Sequence, residues 1–276
     1  MTKLTARRPW VFVAAIVAFA PAVYSGRPLV QLGEQEQLAR QLLASDGRER
    51  RAALESARKL GASMDSSVRS ALFTALEHEG RMHAERYRAA KRGEFLPELE
   101  DAEFIGALTR AVVELKDSRA IQGLVAALGT GAIVTNALAD FGEAAAPAVI
   151  AVVTSNESVP DAVDHALITL RFMVEGSRDR PLAPATLASI NRAAKQRLTG
   201  RQPFVTTIWR AIDLAMVLQD PGLSAIVKSI ADSPLEIYGR GVDDPELVER
   251  TQKLAADRLA GVPALPVRKA VSELIK

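Results

Sequence analysis

The sequence contains no cysteine. This absence excludes disulfide staples, thiolate metal ligands, cysteine nucleophiles and lipid attachment through a cysteine. Whatever fold forms must be held by packing. Aromatic residues are scarce too, at 5% against 48% hydrophobic overall. The apolar mass is therefore Ala, Leu, Val and Ile, which suits helices packed at close range. An uninterrupted run of the ~20 apolar residues that span a bilayer is missing. So is a surplus of one charge. The pI is near 9.0, but Lys3, Arg7 and Arg8 are the only charged residues before Ser25. The rest of the chain carries 32 basic against 33 acidic side chains. A phosphate backbone calls for a concentrated basic surface, so no nucleic-acid partner is expected. There is no G-x-S-x-G elbow, and "EGSRDR" is not one. No glycine-rich phosphate loop follows a strand, because no strand is expected.

What is present begins with a leader. Met1 to Arg8 is basic, Trp10 to Ala20 is an apolar run of 11 residues, and Pro21 breaks it. Val23 and Ser25 sit where a signal peptidase expects small residues. Residues 1–25 are expected to be a signal peptide, cleaved after Ser25, that sends the protein into the periplasm or outside the cell. The alternative is an uncleaved anchor, and a membrane enters the account only in that case.

The 14 prolines and 17 glycines are spread along the chain as punctuation. In "ALADFGEAAAPAVIAVV", Ala137 to Val153, both breakers interrupt one apolar stretch. Proline costs little in a helix's first turn, where N–H groups lack helical acceptors. Gly142 suits a tight connection. The stretch is therefore predicted to be a helical hairpin, Ile133 to Phe141 followed by Ala144 to Thr154. The second helix carries a one-face apolar pattern that recurs. It reads IQGLVAAL from Ile121, APAVIAVV from Ala146, LASINRAA from Leu187 and LSAIVKSI from Leu223. The third copy departs at Asn191, and a fainter copy, VRSALFTA, begins at Val68. The starts are 25, 41 and 36 residues apart, and periods of tens of residues indicate stacked repeats. First helices are expected over Ala102–Leu115, Ile133–Phe141, Val159–Val174 and Phe204–Leu218. Asp117 and Asp220 are expected N-caps.

Upstream, helices are expected over Glu34–Ala44, with Leu38, Leu42 and Leu43 inward, and over Arg48–Leu60 and Ser66–Arg92. Downstream, "SPLEIYGRGVDD", Ser233 to Asp244, reads as a loop. Capping helices are expected over Pro245–Ala260 and Val267–Ile275.

The tracts "LKDSRAIQGLVAALGTG" and "LADFGEAAAPAVIAVV" resemble HEAT repeats of the short bacterial kind, over residues 99–232 and more faintly over 48–92. The resemblance implies an all-α, right-handed α-solenoid of antiparallel helix pairs with no β-sheet. The expected organisation is a repeat domain over residues 26–232, then a loop and capping helices over 233–276. HEAT relatives act as scaffolds and adaptors.

Candidate chemistry is thin. "EHEGRMHAE" gathers His78, His83 and three acids, but the histidines are five apart, roughly 140° around a helix. The zinc motif H-E-x-x-H needs four. Gly80 would have to supply a bend, and the plainer reading is a solvated helix with Glu77 paired to Arg81. His165 stands beside Asp164 and reads as a surface or groove histidine. "YRAAKRGE", Tyr87 to Glu94, is a basic patch flanked by acids. The sixth position of each copy is more informative: Ala126, Ala151, Arg192 and Lys228, widened by Lys195 and Gln196. If the second helices line one face, these residues form a ridge, small at first and basic later, suited to an acidic protein segment. The expected function is a non-catalytic, extracytoplasmic scaffold or adaptor that binds a protein partner and needs no cofactor or metal. The alternatives are a membrane-anchored subunit of an envelope complex and a lyase-type enzyme, since such repeats also resemble those of phycobilin lyases.

Overall fold

Three devices punctuate the described connections. Proline opens a first helical turn at Pro147, Pro160, Pro184, Pro221 and Pro245. Aspartate caps the segments that begin after Asp46, Asp117, Asp220 and Asp244 by accepting orphan N–H groups. Glycine takes φ near +53° at Gly142, where α6 ends.

The computed structural model describes residues 29–91, 102–200, 205–233 and 244–274. The leader at 1–25, and the loop between Ser233 and Asp244, fall outside them. Among the described residues the structure is all-helical, with no strand. The helices are α1 (Leu29–Leu42), α2 (Gly47–Leu60), α3 (Ser66–Lys91), α4 (Ala102–Glu114), α5 (Ile121–Ala126), α6 (Ala132–Phe141) and α7 (Ala146–Thr154). They continue as α8 (Pro160–Glu175), α9 (Pro184–Thr199), α10 (Val205–Leu218), α11 (Pro221–Asp232), α12 (Pro245–Leu259) and α13 (Val271–Leu274). No single helix among the described residues is long and apolar enough to cross a membrane.

Alternate helices pack on one another. One row runs α1, α3, α5, α7, α9, α11, and the other runs α2, α4, α6, α8, α10. Helix α12 contacts the last helix of each row. A contiguous core lies between the rows, with Leu72, Leu108, Leu138, Leu167, Val149, Ile190 and Val227 fully or almost fully buried. On α8 the stripe Val163, Ala166, Leu167, Leu170 faces this core, as its spacing predicts.

Three expectations are corrected. Helices α6 and α7 turn through 116° at their connection instead of folding back as a tight hairpin. Helices α7 and α9 pack most closely on the first helix of the following pair, α8 and α10, and α5 packs most closely on α3. Second, Leu43 lies beyond the last turn of α1 and is 51% exposed, whereas Leu42 is fully buried. Third, in the described part of the expected Val267–Ile275 helix, residues 267–274, only Val271–Leu274 is helical. Pro263 and Pro266 lack amide protons, and the main chain around them bonds to distant side chains. Residues 262–270 run back along the even row from α10 to α6.

Buried charges tie neighbouring helices. Arg50 of α2 pairs with Glu79 of α3 at 2.8 Å and lies over the Phe104 ring of α4. Arg258 of α12 donates to the buried Asp213 of α10 at 2.7 Å.

Candidate functional site

The ridge residues sit on the odd row, and the structure separates them. Ala126 is half-buried at the end of α5, under α3. The reason is Gly80, where a Cβ would come within 2.4 Å of the Ala126 carbonyl carbon. Gly80 thus serves a close helix crossing, and α3 is continuous through it. Ala126 leaves the open surface. Ala151 on α7, Arg192, Lys195 and Gln196 on α9, and Lys228 on α11 are all exposed, on consecutive helices of one row. Arg192 donates to its own helix at Ser189 Oγ, 3.0 Å away.

Gln196 has a structural task. Its amide donates to the Thr154 carbonyl at 3.2 Å. The neighbouring Arg197, which is buried, donates to Val153 O at 2.6 Å and Ser155 O at 2.8 Å. Together they satisfy carbonyls at the C-terminus of α7, where a positive charge also suits the helix dipole. Burial lowers the Arg197 pKa, with Asp164 opposing. Asn191, where the third copy departs from pattern, donates to Asp220 Oδ2 at 3.1 Å and ties α9 to the cap of α11. The Asp220 carboxyl is held below its ordinary range, first by the Leu223 N–H, then by Asn191, with Lys195 adding a smaller push.

The other candidates are placed as follows. His78 is exposed and His83 half-buried on α3, Arg81 pairs with Glu77, and Glu79 is taken by Arg50. Among the described residues no group of three His, Asp or Glu side chains is placed to hold a metal. In the basic patch, Arg88 donates to Glu157 O at 3.1 Å and lies 3.4 Å from Glu85. Residues 92–94 of that patch lie outside the described residues.

A second site on the even row was not foreseen. A cavity of about 190 Å³ lies between α6, α8 and the returning C-terminal segment. Its walls are mostly apolar, with Thr135, Asn136, His165 and Phe172 on one side and Pro266 and Val267 on the other. His165 Nδ1 lies 2.8 Å from Thr135 Oγ1. That is nucleophile-to-base distance, but Thr135 is 2% exposed. Asp164 accepts from Thr207 at 2.6 Å. Burial lowers the His165 pKa against the pull of Asp164 and Asp161, and burial raises that of Asp164. Around the cavity Arg171, Arg210, Asn136 and Asp140 all bond to the tail. The available sequence signal was a polar side chain set among apolar neighbours of a helix: Asn136 in "AIVTNALADF" and Arg171 in "HALITLRFMV".

Compared with protein-family models, curated proteins and solved structures, the chain matches none.

Proposed function

We propose that this chain is a non-catalytic, extracytoplasmic scaffold: a HEAT-like α-solenoid that binds an acidic segment of a partner protein along its odd row. The observation that carries the reading is the alternate packing of helices in two rows, with Ala151, Arg192, Lys195 and Lys228 exposed on successive members of one of them. Stacked helix pairs bury one continuous core and leave a long surface suited to extended recognition. The apolar pattern at Ile121, Ala146, Leu187 and Leu223 and the likeness of residues 99–232 to HEAT repeats support the same architecture. The basic-apolar-Pro21 layout of residues 1–25 supports export.

Charge reversal tests the reading. Affinity capture from envelope extracts is compared between the natural chain and the double variant Arg192→Glu, Lys228→Glu. The expected result is a dominant protein partner, released by salt and lost in the variant. An unchanged set of captured proteins would remove the ridge. Turnover of a small molecule by the purified chain would replace the scaffold with an enzyme.

A further inference from the structure

The C-terminal segment is attached in an unusual way. Leu265 and Val267 are 65% and 64% exposed, so the tail does not cover its own apolar side chains. Its main chain is held by side chains of the even row instead. Arg210 of α10 donates to Leu265 O at 2.7 Å, and Arg171 of α8 donates to Pro266 O. Asn136 Oδ1 of α6 accepts the Lys269 N–H at 3.0 Å. Among its side chains, Arg268 reaches Asp140 Oδ1 at 2.6 Å and Phe172 O at 3.2 Å, and Val271 packs against the core.

These clamps belong to the helices and are costly to build. Arg171 is 1% exposed, and burying a guanidinium is unfavourable unless it is paired. Glu175 lies 3.6 Å from its Nε, and the tail supplies the one carbonyl it bonds among the described residues. Asn136 is likewise buried, with its carbonyl aimed at a tail amide. Such a groove demands a bound main chain. Yet its present occupant fits loosely, because the cavity of about 190 Å³ remains between Pro266 and the His165–Thr135 pair.

We propose that the face of α6, α8 and α10 is a receptor groove for an extended protein segment, and that the C-terminal tail is its built-in, displaceable ligand. The tail's own bonds define the partner's chemistry. It carries an apolar residue and a proline whose carbonyls meet Arg210 and Arg171. An arginine two residues beyond the proline meets Asp140, and a following main-chain N–H meets Asn136. The groove lies on the row opposite the cationic ridge. It rests on the scaffold reading only for the occupant being a protein segment.

The probe is a synthetic peptide of residues 260–274. The chain has no cysteine, so Val267→Cys gives a unique spin-label site on the exposed side of the tail. Added peptide is expected to free the label in the full-length chain. A tethered ligand competes through its effective concentration, so loosening the tail with Arg268→Ala should lower the peptide needed by about tenfold. The same peptide carrying Arg268→Ala should displace poorly. A label that stays immobile in both backgrounds overturns the proposal, as does equal displacement by the altered peptide. Doubling of mass with an immobile label would also overturn it, by assigning the groove to tail exchange between two copies. Ridge variants Arg192→Glu and Lys228→Glu leave this readout unchanged, so the two proposals fail separately.

Discussion

Gly80 sits inside a 26-residue helix, where glycine is less favourable than alanine by about 1 kcal/mol. Propensity alone recommends replacing it. Packing forbids this, because an added Cβ would meet Ala126 main chain at 2.4 Å, and main chain cannot swing aside. Gly123, from α5, faces the same crossing, where an added Cβ would meet Phe73 O at 2.9 Å. Gly80→Ala is therefore expected to lower stability by about 1–3 kcal/mol, read as a lower urea midpoint. Gly47→Ala, with nothing within 4 Å of the new Cβ, should leave the midpoint unchanged or raise it slightly. A rise for Gly80→Ala would show that α3 and α5 do not cross there.

Among the elements, α7 shows a helix end completed by its neighbour. Arg197 and Gln196 of α9 hold the carbonyls of Val153, Thr154 and Ser155. Arg197→Met keeps much of the apolar stem and removes the donors. The expected loss is about 2 kcal/mol, the scale of hydrogen bonds from a charged group, with faster amide exchange confined to the last turn of α7. Gln196→Ala, at an exposed site, should do much less. The contrast between these neighbours marks what the sequence could disclose. Helix limits were legible: α8 was expected over Val159–Val174 and runs Pro160–Glu175. Proline, aspartate and glycine act locally, within a turn. Angles and tertiary acceptors were not legible. Gly142 and Pro147 say where a helix stops and the next begins, but not that the chain turns by 116°. The terminal helix failed because acceptors and donors from α6, α8 and α10 claim the main chain of residues 265–269, and a periodicity of 3.6 carries no trace of them. Exposure was legible where it follows from the pattern, as at Arg192 and Lys228. It was lost at Ala126, where Gly80, 46 positions earlier in the chain, decides the matter.

At the scale of the molecule, the arrangement is one of near neighbours. Each helix mainly touches those one and two places away, and α12 closes both rows. The exception is the tail, which joins Arg268 to Asp140 across 128 residues. In the proposed solenoid the odd row advances steadily along an axis. Packed helices lie about 8–10 Å apart, so equivalent positions should step by that distance. Ala151 and Lys228 are equivalent and exposed on α7 and α11, and Gln122, exposed on α5, lies one turn before the half-buried Ala126 on the same face; α7 and α9 separate α5 from α11. Spin-label distances between single cysteines placed at these sites measure the row directly. The account expects about 20 Å between positions 151 and 228 and about 30 Å between 122 and 228. A distance from 122 to 228 no longer than that from 151 to 228 would mean the helices close into a bundle, and would contradict it.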